Sequence, residues 1–115
     1  MRLGDFDFYS NHNQYFWYDK DELVATVEIR KENGIKWICG VYVSPVYRRN
    51  GIATNLLQFA ILVGGERLSV SKNNLGAIAL YKNFGFEVFD QDEKFLYMRM
   101  RIVMPKEKVN ESKRT

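Results

Sequence analysis

Two short stretches carry residues whose types and spacing could do chemistry. The first is Arg48-Arg49-Asn50-Gly51-Ile52-Ala53, between the apolar runs Trp37–Val43 and Leu56–Val63. It stands where a strand ends and a helix begins. The first turn of a helix has backbone N–H groups without intrahelical partners. Ser, Thr, Asp or Asn caps and early acids usually satisfy them. Here the turn brings cations and small residues and no acid, the pattern that suits an anion such as a pyrophosphate. On composition alone a solvated basic turn is the better account of the two arginines. No Gly-Lys-Ser/Thr follows, so a Walker A loop is excluded, and a dinucleotide fingerprint lacks its further glycines.

The second stretch is Asn74 to Phe86. Asn74, Ala77 and Tyr81 stand at i, i+3 and i+7 and share one helix face. Asn74 falls at an N-cap position. Ala77 leaves room for a groove, and Tyr81 offers a phenol able to give up a proton. A core aromatic with its hydroxyl at the rim is the alternative for Tyr81.

These groups need a frame to hold them. Tyr15–Tyr18, Leu23–Arg30 and Ile35–Val43 read as strands, the last two joined at Asn33-Gly34. Residues 1–14 read as a loop or a weak edge strand. In the strand Ile35–Val43, strict alternation places Ile35, Trp37, Cys39, Val41 and Val43 on one face. Pro45 ends that strand. Helices are expected over Gly51–Val63 and Leu75–Phe84, with strands at Arg67–Ser71, Phe86–Phe89 and Phe95–Val103. The order β-β-β-α-β-α-β-β indicates an α/β (α+β) domain with a mixed, mostly antiparallel sheet.

Together the two stretches resemble the GNAT superfamily of acyl-CoA-dependent N-acetyltransferases. Arg48-Arg49-Asn50-Gly51-Ile52-Ala53 is similar to the family's pyrophosphate loop, Arg/Gln-x-x-Gly-x-Gly/Ala. Asn74, Ala77, Leu80, Tyr81, Gly85 and Phe86 match its second motif in register. The resemblance spans about Leu23 to Val103 and implies an acyl-CoA N-acyltransferase-like fold with acetyl-CoA as co-substrate. It implies that Val41, Tyr42 and Val43 present the strand end to the pantetheine arm. Backbone N–H groups of Arg49, Asn50, Gly51, Ile52 and Ala53 would hold the pyrophosphate, with Thr54 next in the turn and Arg48 and Arg49 adding charge. Asn74 would contact the pantetheine or cap its helix. Tyr81 would protonate the leaving thiolate, and Gly40 would mark a bulge in its strand. Relatives begin with a strand and two helices ahead of the first hairpin, and only about fourteen residues stand there in this chain. An open acceptor side follows as an expectation, suiting a protein lysine or N-terminus, or completion by a second subunit. Some relatives carry a glutamate base on the third strand. This strand has none, and Glu28 on its neighbour is the nearest candidate.

Composition limits the rest. The chain has 115 residues and 46% hydrophobic content, enough for one domain. Residues 1–103 read as that domain and 104–115 as a basic tail. From Arg101 onward there are five Lys/Arg and two Glu, which supply the whole net charge of +3. The neutral body argues against a nucleic-acid surface. One cysteine, Cys39, and one histidine, His12, provide no disulfide framework or zinc set. Neither a signal peptide nor a membrane span is read, so a cytoplasmic protein is the expectation. The leading reading is an acetyl-CoA-dependent transferase acting on a primary amine in a ternary complex. The alternative is a non-catalytic acyl-CoA-binding or interaction module. An incomplete wall and an aromatic N-terminal strand also raise the expectation of a homodimer.

Overall fold

The structure is a computed structural model and describes residues 2–101. Two hairpins open the chain: β1 (Asp7–Asn11) with β2 (Gln14–Asp19), and β3 (Glu22–Glu32) with β4 (Ile35–Val43). Then follow α1 (Ile52–Leu62), β5 (Arg67–Ser71), α2 (Leu75–Asn83), β6 (Phe86–Gln91) and β7 (Phe95–Met100). All seven strands form one sheet in the order β1-β2-β3-β4-β5-β7-β6. The β4–β5 pair is parallel, and the other pairs are antiparallel.

Residues 1–14, open in the sequence between loop and edge strand, include the edge strand β1. It turns directly into β2 over His12-Asn13, with His12 at positive φ. No helix lies between these two strands. Ile102, Val103 and the basic segment 104–115 fall outside the described residues.

Handedness places the helices. Crossovers from β4 through α1 to β5, and from β5 through α2 to β6, advance in the same direction across the sheet. Right-handed connections then bring both helices to the same face. Burial agrees, since Ile38, Leu68 and Met98 pair across β4, β5 and β7. They join Leu56 and Leu57 of α1 and Tyr81 of α2 in one core. On the other face, Arg30, Trp37, Arg67, Arg99 and Glu87 follow one another across five strands.

Strict alternation along β4 does not hold. Ile38 and Val43 are both buried in the core although five positions separate them. The cause is a bulge. Thr26 pairs with Tyr42 and Glu28 with Cys39, so Gly40 and Val41 together face Val27. Gly40 takes φ +55, which glycine adopts with no Cβ penalty. Beyond it, Tyr42 moves to the outer face and Val43 to the core.

Candidate active site

Two parallel strands that pair and then part create the site. β4 and β5 are joined only at Trp37–Arg67 and Ile38–Leu68. Past that point they diverge, helped by the bulge at Gly40. The resulting gap is a cavity of about 340 Å³, lined among others by Cys39, Val41, Ser69, Ser71, Asn74 and Tyr81. A larger cavity of about 910 Å³ lies between the N-terminal turn and α1, lined largely by Leu3, Phe6, Phe8, Trp17, Phe59 and Leu62. It is bigger, but the groups able to do chemistry converge on the smaller one.

Val41 borders this gap, and Val43 ends the same strand two residues on. The Ser44 N–H bonds back to the Val24 carbonyl on β3 at 2.8 Å. By strand alternation, the polar groups of Val43 and Val41 turn the other way, toward the gap. One of them is already used, because Arg48 Nε donates to the Val43 carbonyl at 2.9 Å. Arg48 thus ties the loop to the strand end, a role its local sequence does not announce. Its remaining N–H groups and those of Arg49 stay exposed.

The loop delivers backbone donors to the same end of β4. Arg49 at φ 68 and Gly51 at φ 80 are both left-handed. For arginine this conformation costs on the order of 1–2 kcal/mol. Alternation of this kind curls successive N–H groups into a concave nest. α1 then opens at Gly51 with no side-chain cap and no acid in its first turn. Its first internal bond runs from the Asn55 N–H to the Gly51 carbonyl. The N–H groups of Ile52, Ala53 and Thr54 therefore lie ahead of the helix's own ladder.

A hydrogen-bonded anchor holds this loop in place. Tyr47 in the 3-10 turn Pro45–Tyr47 is buried, and its phenol donates to Asp19 Oδ2 at 2.8 Å. Glu22 Oε1 stands 3.5 Å from the same oxygen. The Asp19 bond leads in pushing Tyr47 up to about 12, with desolvation and the nearby carboxylates adding to it. Asn50 Nδ2 donates to the Tyr47 carbonyl at 3.4 Å. The β2–β3 turn is thereby tied to the anion loop, across 28 residues of sequence. That separation explains why sequence patterns miss the anchor.

α2 faces the gap from the β5 side. Asn74 accepts from the Ala77 N–H at 3.1 Å and caps the helix. Of the two roles foreseen for Asn74, its Oδ1 performs the capping one, and the residue borders the cavity. Tyr81 is buried against Phe86, at a ring separation of 6.1 Å, and burial raises its phenol above the usual value. Glu28 sits one strand from the gap, beside Cys39, with its carboxylate held by Arg30 at 3.1 Å. Cys39 is half-buried, and desolvation leads in raising its thiol. Among the described residues, no His/Cys/Asp/Glu group could hold a metal ion, and no helix is long and apolar enough to cross a membrane.

The site residues thus fall into two groups. Val41, Asn74 and Tyr81 meet around the gap, with Val43 and then Arg48 to Thr54 at and beyond the end of β4. Tyr42 turns to the outer face, and Glu28 stands apart with Arg30.

Comparison with known proteins gives this arrangement a family. No curated protein sequence matches the chain. The solved structures that match include the PaiA N-acetyltransferase of Thermoplasma acidophilum in complex with coenzyme A. It is 22% identical with a TM-score of 0.68 over 77% of this chain, which spans 60% of that protein's length. Another is the ribosomal-protein-S18-alanine N-acetyltransferase of Escherichia coli, 22% identical with a TM-score of 0.65 over 79% of this chain and 69% of that one. An IAA acetyltransferase from Bacillus cereus is 15% identical with a TM-score of 0.66, over 77% of each chain. At these identities the likeness establishes the fold. The sequence model of the acetyltransferase (GNAT) family matches residues 2–86, well over half of the chain, and on that match the chain belongs to the GNAT acetyltransferase family.

Proposed function

We propose that this chain transfers an acetyl group from acetyl-CoA to a primary amine. The observation that carries the reading is the parting of β4 and β5, with an uncapped helix start at one end and a buried tyrosine on its wall. The pantetheine arm lies along the exposed edge of β4 and pairs with Val41 and the remaining N–H of Val43, as an added strand would. The pyrophosphate rests on the N–H groups of Arg49 to Thr54, and the Arg48 and Arg49 guanidinium groups offset its charge.

The amine nitrogen attacks the thioester carbonyl in a ternary complex. The C–S bond breaks as the C–N bond forms. Tyr81 gives its proton to the departing thiolate. A phenol is protonated near neutral pH and burial raises this one further, so its proton is present when the thiolate departs. The proton lost by the amine goes to water at the open outer face. Glu28 is already committed to Arg30, so Glu28→Gln lowers kcat less than tenfold. A loss of several hundredfold in a folded variant would identify Glu28 as the base.

The direct turn from β1 to β2 leaves the acceptor side low-walled, which favours an extended acceptor such as a protein lysine or N-terminus. A similar fold serves an enzyme whose name specifies a protein alanine. The reading is tested by a thermal melt with acetyl-CoA. A ligand at ~100 times its Kd adds about 2.7 kcal/mol to the native state, a shift on the order of 10 °C for a domain of this size. Mass spectrometry then follows the acetyl group across small amines and peptides. Binding without transfer to any acceptor would favour a non-catalytic acyl-CoA-binding module, and no shift at millimolar ligand would reject the reading.

A further inference from the structure

The face of the sheet away from both helices carries a second set of residues that the transfer reaction does not use. Across its middle, Arg67 and Arg99 stand directly opposite each other on β5 and β7. Like charges in that position are unfavourable. Both guanidinium groups lie over one ring, Phe89, at 4.8 and 5.3 Å from its centroid. Trp37 and Tyr97 pack beside it, Trp37 at 6.4 Å from Phe89 and 6.5 Å from Tyr97. Arg99 has a carboxylate neighbour, Glu87, at 3.7 Å. Among the described residues, Arg67 has none within ion-pair distance.

Two further observations bear on what covers this face. The first is composition. From β3 to β6 its charged side chains include Glu28, Arg30, Glu32, Arg67, Glu87, Asp90 and Arg99, four acids and three arginines, and the strands place no lysine there. Arginine and aromatic residues without lysine match the composition of the centre of a protein–protein interface. A sheet face on which acids outnumber arginines does not suit a nucleic-acid backbone. The second is complementarity. Glu28 is paired with Arg30, whereas Glu32, two positions further along β3, has no cation within ion-pair distance among the described residues. Asp90, at the far edge on β6, is likewise without an ion-pair partner among the described residues, whereas Glu32 on β3 and Arg67 on β5 stand on either side of β4 as an unmatched anion and an unmatched cation.

We infer that this face pairs with the same face of a second copy of the chain, Glu32 of each copy meeting Arg67 of the other. A two-fold axis lying in the interface and crossing β4 near Trp37 exchanges the two positions. Such an interface is self-complementary, as a two-fold dimer requires. The docking residues lie at the closed end of β4 and β5, where Trp37 pairs with Arg67, so the gap toward Tyr81 stays accessible. The inference does not depend on acetyl transfer.

Charge exchange tests it. Sedimentation of the full chain over a concentration series measures dimerisation of the parent, Arg67→Glu, Glu32→Arg and the double variant. The expected result is a dimeric parent, single variants weakened at least about tenfold, and recovery in the double variant, where both contacts are restored with reversed sign. Arg67→Gln and Glu32→Gln repeat the comparison without introducing repulsion, and circular dichroism confirms that each variant is folded. A parent that stays monomeric at several hundred micromolar overturns the inference. So do single variants that dimerise like the parent, or a folded double variant no better than either single one.

Discussion

α1 and α2 begin in opposite ways, although both start beside the same gap. α2 satisfies itself: Asn74 caps the Ala77 N–H with its own side chain. α1 begins at a left-handed glycine with no side-chain cap, behind a left-handed arginine. A helix whose only task is to pack gains about 1 kcal/mol from a cap. Glycine at the start of α1 forgoes a few tenths of a kcal/mol of that gain, and a strained arginine is added before it. The loop is nonetheless held by Arg48 on the Val43 carbonyl and by Tyr47 on Asp19. Such a combination, held firmly yet unsatisfied at its donors, is what a site prepared for an anion requires. α2 instead has the stability of a wall, and the role proposed for it is to carry the proton donor Tyr81.

The largest effect tests that role of α2. Tyr81→Phe keeps the ring against Phe86 and removes the proton. It should lower kcat about a hundredfold with the KM for acetyl-CoA nearly unchanged. A matching fall in affinity would make Tyr81 a binding group. The next tests the donors of α1. Thr54→Glu places an acid in the uncapped first turn at a position outside the hydrophobic core, where it raises the stability of the free protein by about 0.3–1 kcal/mol. The same charge opposes the pyrophosphate, so acetyl-CoA affinity should fall about thirtyfold by calorimetry. Stability and binding move in opposite directions only if those donors are reserved for an anion.

The converse substitution at α2 is smaller. Asn74→Ala removes a real cap and should cost about 1 kcal/mol, a drop in Tm of about 4–8 °C. Acetyl-CoA affinity should change little, since Asn74 Oδ1 is already engaged. A loss of affinity beyond the loss of stability would assign its amide nitrogen to the ligand.

The same contrast explains what could be read in the sequence. Asn74, Ala77 and Tyr81 were legible because a helix repeats every 3.6 residues and a cap acts over three. Gly40 was legible as a glycine inside a strand, but the shift of Tyr42 and Val43 to new faces was not, because alternation has no term for an inserted residue. The strand character of β1 was hard to read because all five of its residues are exposed, so burial leaves no pattern on it. The loop's glycine and arginines carried the sequence reading of an anion site. Its supports did not, since a tyrosine bonded to acids 25 and 28 residues away has no local signature.

The smallest effect concerns that support. Tyr47→Phe preserves the edge-to-face contact with Phe6, whose ring lies 5.6 Å away, and deletes only the hydroxyl. If the Asp19 bond positions the loop, the KM for acetyl-CoA rises about threefold while kcat is retained. A packing role alone leaves both unchanged. Titration supplies an independent check. The Asp19 carboxylate, accepting from the phenol, raises Tyr47 from 10.0 to about 12. The folded state therefore holds this proton more tightly than the unfolded chain does. The associated stability is complete below pH 10 and is lost as pH rises toward about 12. Over that window the phenylalanine variant should show a shallower decline in Tm than the parent. Parallel declines would mean that the bond to Asp19 does not persist in solution, and that Arg48 alone fixes the loop.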